Sequence, residues 1–297
     1  MRRIKQLAII GSTASGKTSL SINLAQKRNA FILSLDSLAL YKEMDIVSAK
    51  PSIEERQGIQ HFGIDLLYPN EIFDVNTFIN LYKRVYAQCQ EEGKDLIIVG
   101  GTSFYLKMLI DGVSLLPDIS DNTHTKSLLY LQNLNETYAW LKNLDTIYMS
   151  KISQNDSYRI EKVLHIYFQT GLMPTEYFKQ NPPLAAISEP LPIYQIIWER
   201  ENLRQRIALR TKIMVDHGLI DEICTLEKKY TRKPNAMKSI GVKETLAYLD
   251  GIYSKDEMID KISTNTARLA KRQKTFNRSQ FQNIINGSLC ELKEILQ

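Results

Sequence analysis

The amino-acid sequence predicts an α/β protein: a parallel sheet carrying a phosphate-binding loop (P-loop), flanked by helices, with an all-helical insertion domain. Three observations predict it. The apolar run Leu7 to Ile10 leads directly into Gly11-Ser12-Thr13-Ala14-Ser15-Gly16-Lys17-Thr18, a complete G-x-x-x-x-G-K-T sequence. Strand-like and helix-like stretches alternate through the first third of the chain, the order of a parallel sheet with crossover helices. From Leu116 to about Pro183 the strand signal stops and only helical periodicity remains.

Taken in order, strands are expected at Gln6 to Ile10, Phe31 to Leu35 and Asp95 to Val99, with helices at Thr18 to Arg28 and Asn76 to Glu92 between them. Each strand ends in polar or Gly-rich sequence: the phosphate loop, then Asp36-Ser37, then Gly100-Gly101-Thr102. In an open parallel sheet these carboxyl ends line one crevice, where ligands bind. The helical stretch has Leu/Tyr periodicity around Leu128 to Leu144 and again from Ser157 to Gln169, and Pro182-Pro183, Pro190 and Pro192 punctuate its far end. Pro192 to Trp198 reads as a strand again, followed by an amphipathic helix from Asn202 to about Val215 that Gly218 terminates. The expected division is a catalytic core of residues 1–115 and 186–297 with an insertion domain of residues 116–185. The alternative is that the insertion consists of further helices packed on the same sheet.

Of the 297 residues, 43% are hydrophobic and 24% charged, ordinary values for an enzyme with a sizeable core. Met1-Arg-Arg-Ile-Lys5 is basic, but the apolar run behind it is too short for a signal peptide. No stretch approaches the roughly 18 apolar residues of a membrane span. Cys89, Cys224 and Cys290 are isolated and odd in number, which argues against a disulfide framework and for a reducing, cytoplasmic setting without membrane attachment. The net charge of +5 is unevenly spread: Arg200 to Arg278 holds 18 Lys/Arg against 10 Asp/Glu, leaving the rest of the chain slightly acidic. Arg268, Lys271, Arg272, Lys274 and Arg278 follow one another with no acidic residue between them. Such a run is either a polyanion-binding surface or a solvated helix face.

The chemistry-bearing residues cluster at the strand ends. In the phosphate loop the glycines let backbone N–H groups turn inward, Lys17 can reach terminal phosphates, and the Thr18 hydroxyl can ligate Mg²⁺. Asp36 could act as a general base toward an incoming nucleophile or could cap the turn that follows it. Thr102, on its Gly-Gly turn, could bridge a phosphate and a second substrate or cap a helix. Arg206 and Arg210 share a helix face, and a guanidinium from either could complete a pyrophosphate site. The strand Leu96-Ile-Ile-Val99 ends in Gly-Gly-Thr rather than in the Mg²⁺-holding Asp of many phosphate-loop ATPases, and no N-K-x-D sequence is present, so hydrolysis-driven switching is disfavoured.

These segments together resemble the tRNA dimethylallyltransferases, also called tRNA isopentenyltransferases. The resemblance rests on Gly11 to Thr18, Ser34-Leu-Asp-Ser37, Tyr41-Lys-Glu-Met-Asp-Ile46 with Ser48-Ala-Lys-Pro51, Val99-Gly-Gly-Thr102, Ile240-Gly-Val-Lys-Glu244 with Tyr248-Leu-Asp-Gly251, and Leu269-Ala-Lys-Arg-Gln273, in the family's order. It implies transfer of a dimethylallyl group from dimethylallyl diphosphate to N6 of the adenine immediately 3′ of a tRNA anticodon, with Mg²⁺ at Thr18. It also implies catalytic roles for Asp36, Thr102, Lys17 and Arg210, with the diphosphate held by the loop Gly11 to Thr18. Contacts to the tRNA anticodon stem-loop are implied for Asp36, Ser37, Leu38, Ala39, Thr102, Lys238, Ser239, Gly241, Lys271 and Arg272, and in the insertion for His124, Tyr158, Arg159 and Lys162. A monomer is the expected state. Ala39 stands where the family often has Gln, Val242 where it usually has Tyr, and Phe276 where Trp is usual. An adenylate isopentenyltransferase acting on free nucleotides would not need an RNA-gripping insertion. A phosphate-loop small-molecule kinase would not need a basic last third of the chain. A non-enzymatic RNA-binding protein using ATP as a switch is disfavoured by the missing Asp.

Overall fold

The computed structural model describes residues 4–296. They fall into two compact units, one built from residues 4–108 and 187–296, the other from Leu109–Ala186. The first unit holds a six-stranded parallel sheet of β1 (Gln6–Gly11), β2 (Ala30–Ser34), β3 (His61–Phe62), β4 (Asp95–Gly100), β5 (Ile193–Ile196) and β6 (Ile285–Gly287). Their spatial order is β3-β2-β4-β1-β5-β6. The register sets Ile10 beside Gly100 and Ser34 beside Val99, so β1, β2 and β4 end at the same edge. β3 and β6, of two and three residues, were not foreseen; runs this short carry no period to read.

The central strands are buried on both faces, which is why they read as unbroken apolar runs. Leu7, Ile9, Ile97 and Val99 pack into one cluster with α1 (Lys17–Arg28), which contributes Leu20, Ile22 and Leu24. The alternate residues Ala8, Ile10, Leu96 and Ile98, equally buried, point to the opposite face. α2 (Val75–Glu92) packs on β2 and β4 and starts at Asp74, whose carboxylate accepts from Thr77 N at 2.7 Å. α3 (Ser103–Asp111) follows the Gly-Gly-Thr turn, and its Tyr105 stacks on Phe78 of α2 at 4.9 Å.

The second unit is helical: α4 (Asp121–Leu131), α5 (Leu134–Leu144), α6 (Thr146–Met149), α7 (Ser157–Thr170) and α8 (Pro174–Gln180). It buries a cluster of its own, with Leu141, Met149, Ile160, Val163 and Leu164 at the centre. The expected helical run Leu128 to Leu144 is two helices, parted at Gln132-Asn133. Asp145 is buried and ties three segments together, accepting from Tyr148 N (2.9 Å), Thr175 N (2.8 Å) and Thr175 Oγ1 (2.7 Å). Burial works to raise its pKa, but these hydrogen bonds outweigh burial and hold the carboxyl below its usual value. Asp145→Ala is therefore expected to cost the helical unit roughly 1–3 kcal/mol, the range for orphaned buried donors. Because the folded pKa is depressed, the carboxylate's contribution is present above the unfolded value of about 3.9 and is lost as pH falls below it. Urea unfolding of both forms at neutral and acid pH checks this: the gap between them should close in acid.

The chain returns to the first unit through β5 and the helices α9 (Arg200–Asp216), α10 (Leu219–Tyr230), α11 (Val242–Leu249), α12 (Lys255–Gln280) and α13 (Leu289–Leu296), with a 3-10 turn at Asn235–Lys238. α13 joins α1 on the sheet through Leu292 and Leu296. α9 to α12 enclose a second core of Val215, Leu219, Ile223, Val242, Met258 and Ile262. α12 opens with a reciprocal cap between Ser254 and Glu257 and buries Met258, Ile262, Ala270 and Asn277. Arg268, Lys271, Arg272, Lys274 and Arg278 are all exposed on it. Among the described residues, no helix is long and apolar enough to cross a membrane.

Candidate active site

The phosphate loop leaves β1 and enters α1 through Gly16, whose φ of +92° lies in the left-handed region that favours glycine. No side chain caps the helix, so its first N–H groups and the positive end of its dipole are presented from the loop. Lys17 curls back, its Nζ donating to Ser12 O at 2.6 Å and to Ser15 Oγ at 3.5 Å.

Three further segments brace the loop. Trp198 Nε1, just past β5, donates to Ser15 O at 3.0 Å. On α9, Arg206 stacks 4.5 Å from the Trp198 ring and donates from Nε to Ala14 O at 2.9 Å, while Arg210 donates to Thr13 Oγ1 at 3.0 Å. On α12, Gln273 Oε1 accepts from Thr13 N at 3.3 Å. Arg206 thus supports the loop's backbone, and Arg210 is the arginine beside Lys17 and Asp36.

Lys17 is pushed down to about 8, first by enclosure of its ammonium and next by the neighbouring Arg210, with Asp36 pulling the other way. Burial also lowers Arg210, again against Asp36. Two partly desolvated cations side by side repel each other, and an anion between them would relieve both penalties.

Asp36 follows β2. Its Oδ1 accepts from Leu38 N (2.8 Å) and Ala39 N (3.2 Å), so the turn-capping role is real. Oδ2 has no hydrogen-bond partner among the described residues, and the side chain lines the cleft, so a base role is equally available to the same carboxylate. Thr102 is brought alongside because β2 and β4 approach closely at their ends. A Cβ on Gly100 would meet Leu35 Cβ at 2.6 Å and its Cα at 2.9 Å, and Thr102 N donates to Leu35 O at 3.2 Å. The opposite wall is the segment Tyr41 to Pro51. Glu222 of α10 accepts from the backbone N–H groups of Asp45, Ile46 and Val47 at 2.8, 2.7 and 2.9 Å, and Lys50 pairs with Asp45 and Asp65 and donates to Tyr41 O at 3.0 Å.

These parts surround one cleft of about 1570 Å³. It is lined by the loop from Thr13 through Thr18, by Asp36, Ser37, Leu38 and Ala39, by Thr102 and Arg210, and by Ser239, Gly241 and Arg272. Gly11, Ser12, Lys238 and Lys271 do not line it; Lys238 and Lys271 are exposed. Val242 is fully buried in the helical core, which rules out a base contact by its side chain, whereas Phe276 lines the cleft. His124, Tyr158, Arg159 and Lys162 belong to the helical unit, where Lys162 lies 5.3 Å over the Tyr158 ring and Arg159 pairs with Asp156 at 3.3 Å. Sequence reasoning did not assign Trp198, Gln273 or Glu222 to the site. Trp198 was within reach, since it ends a strand like the others.

A family model described as IPP transferase matches residues 39–280. The chain belongs to the IPP transferase family. A tRNA dimethylallyltransferase from Sulfurovum sp. (strain NBC37-1) is 61% identical over 293 residues, covering 99% of this chain and 97% of the relative. Among solved structures, the full-length tRNA isopentenylpyrophosphate transferase of Bacillus halodurans superposes with a TM-score of 0.72 at 30% identity, over 99% of this chain and 95% of that one. A eukaryotic dimethylallyltransferase acting on tRNA superposes with a TM-score of 0.83 at 25% identity, over 97% of this chain and 75% of that one. The phosphate loop lies before the residues the family model matches but within the 99% of this chain that aligns with the Sulfurovum relative.

Proposed function

We infer that the chain transfers a dimethylallyl group from dimethylallyl diphosphate to N6 of the adenine immediately 3′ of a tRNA anticodon, releasing diphosphate. The observation that carries this reading is the cleft itself: a cationic diphosphate cradle at one end of β1 and a carboxylate with a free oxygen at the end of β2, in one cavity. The loop N–H groups, Lys17 and Arg210 bind the diphosphate and stabilise the charge that grows on it as the allylic C–O bond breaks. Thr102 holds the amine near the carbon while the N–C bond forms. Asp36, anchored through Oδ1, orients the exocyclic amine and accepts its proton at Oδ2.

Mg²⁺ fits the loop. The Thr18 hydroxyl is exposed, has no hydrogen-bond partner among the described residues, and lines the cleft beside Lys17. Few protein ligands suffice, since Mg²⁺ keeps several waters and takes substrate phosphate oxygens. Bound there, it would neutralise part of the diphosphate charge.

For the target adenine to reach Asp36 it must leave the anticodon-loop stack. The exposed basic row of α12 would hold the tRNA backbone, with Arg272 reaching into the cleft and Lys238 and Lys271 outside it. Tyr158, Arg159 and Lys162 would add contacts from the helical unit. A monomer acting in the cytoplasm is the state proposed here for a tRNA-modifying enzyme.

Acceptor choice tests the reading. With labelled dimethylallyl diphosphate, label should enter bulk tRNA and leave AMP unmodified, and ATP should not be consumed. Label in AMP would instead favour an adenylate isopentenyltransferase, and ATP consumption a kinase. The RNA surface is tested separately by salt. Replacing Lys271, Arg272 and Lys274 together should weaken tRNA binding and reduce the slope of log affinity against log salt by up to about 2–3, at roughly 0.7–0.9 per lost phosphate contact. Diphosphate binding by this variant should stay within about twofold of the parent chain.

A further inference from the structure

Outside the cleft, one cluster of metal-ligating side chains stands apart in the helical unit. Glu161 and His165 are one turn apart on α7, and His124 lies in the first turn of α4. Glu161 Oε1 is 3.8 Å from His124 Nδ1 and 3.5 Å from His165 Nε2, and one ligand atom from each residue lies within 4.8 Å of the other two. The two imidazole rings are 5.7 Å apart. His165 is only 6% exposed, and its Nε2, aimed at this cluster, has no hydrogen-bond partner. A buried ring nitrogen left unpaired is costly, and the neighbouring carboxylate does not relieve it.

We propose that His124, Glu161 and His165 form a transition-metal site, best suited to Zn²⁺, that ties α4 to α7. Two imidazoles and a carboxylate are a zinc donor set rather than a Mg²⁺ or Ca²⁺ one. Bond lengths of about 2.0–2.2 Å at tetrahedral angles place ligand atoms roughly 3.3–3.5 Å apart, so Glu161 and His165 are already in position. His124 is exposed, 3.8 Å from Glu161 and within 4.8 Å of His165, so its ring must close toward both. The helices are preset for the ion by contacts that do not involve it: Gln169 Oε1 of α7 accepts from Thr123 Oγ1 at 2.8 Å and from Ser120 N at 3.1 Å. Three protein ligands leave a fourth position for water on the exposed side. His124, to which the family resemblance assigns an RNA contact, thereby acquires a metal-ligand role inside the helical unit.

The test uses the tag-free full chain, stripped with chelator and titrated with Zn²⁺ by calorimetry and with Co²⁺ by visible absorption. The expected result is one equivalent of Zn²⁺, a rise in melting temperature on binding, and the intense absorption bands of four-coordinate Co²⁺. His124→Asn, a surface change that the fold should tolerate, and Glu161→Gln should each weaken binding by at least about tenfold. A Cys224→Ser, Cys290→Ser variant should bind Zn²⁺ as the parent does. Absence of stoichiometric Zn²⁺ binding would overturn the proposal. So would undiminished binding by both His124→Asn and Glu161→Gln, because the ion would then be held elsewhere.

Discussion

Asp36→Asn should lower turnover by roughly 10²- to 10⁴-fold, the range for a lost general base, while leaving the fold and the affinity for each substrate close to those of the parent. The substitution separates the turn cap that the structure shows for this side chain from the base role proposed for it. Asn keeps an oxygen at the position of Oδ1, so the bonds from Leu38 N and Ala39 N can persist and the turn after β2 is retained. What it cannot do is accept a proton at the other oxygen. Single-turnover transfer with both substrates saturating reads this step directly. Turnover within a fewfold of the parent would leave Asp36 as a turn cap only.

Lys17→Ala should reduce transfer by about 10²- to 10³-fold, the magnitude for removing one preorganised group that stabilises developing charge. Diphosphate affinity should fall with it, and tRNA affinity should not. The pH dependence gives a second readout. In the free protein Lys17 is pushed down to about 8, and a bound diphosphate, favouring the charged ammonium, raises that pKa again. Binding above pH 8 therefore takes up a proton, so affinity should be flat below about 8 and decline up to about tenfold per pH unit above it. Lys17→Ala should abolish that decline. Arg210→Ala should weaken binding at every pH and leave the decline in place, because the guanidinium stays charged throughout.

Much of the sheet was legible because its central strands are buried on both faces and flanked by sharp turn signals. β1, β2 and β4 lie within a residue of their expected bounds for that reason. β3 and β6 were not legible: two or three residues at a sheet edge are placed by the strands they pair with, not by their own pattern. The cleft shows the same division. Lys17, Asp36 and Thr102 were found because each follows the carboxyl end of a parallel strand, a position that topology alone makes significant. Gln273 and Glu222 were not, because each reaches the site from a helix far along the chain, Gln273 being 260 residues from Thr13 and Glu222 being 175 to 177 from the N–H groups it holds. No local spacing encodes such a contact. Asp36 shows a further limit: its sequence context allowed a cap or a base, and the structure shows the cap through Oδ1 while leaving Oδ2 without a partner among the described residues, so the proposed base role does not compete with it.

The central claim is that one cleft brings the allylic diphosphate to the exocyclic amine of a tRNA adenine. Nuclease digestion of tRNA incubated with the protein and dimethylallyl diphosphate, followed by mass spectrometry of the fragments, tests it most directly. The expected result is a dimethylallyl group on N6 of the adenine immediately 3′ of the anticodon, absent from the Asp36→Asn and Lys17→Ala reactions over the same interval. Unmodified tRNA from a folded protein that binds both substrates, or modification at an unrelated position, would contradict it.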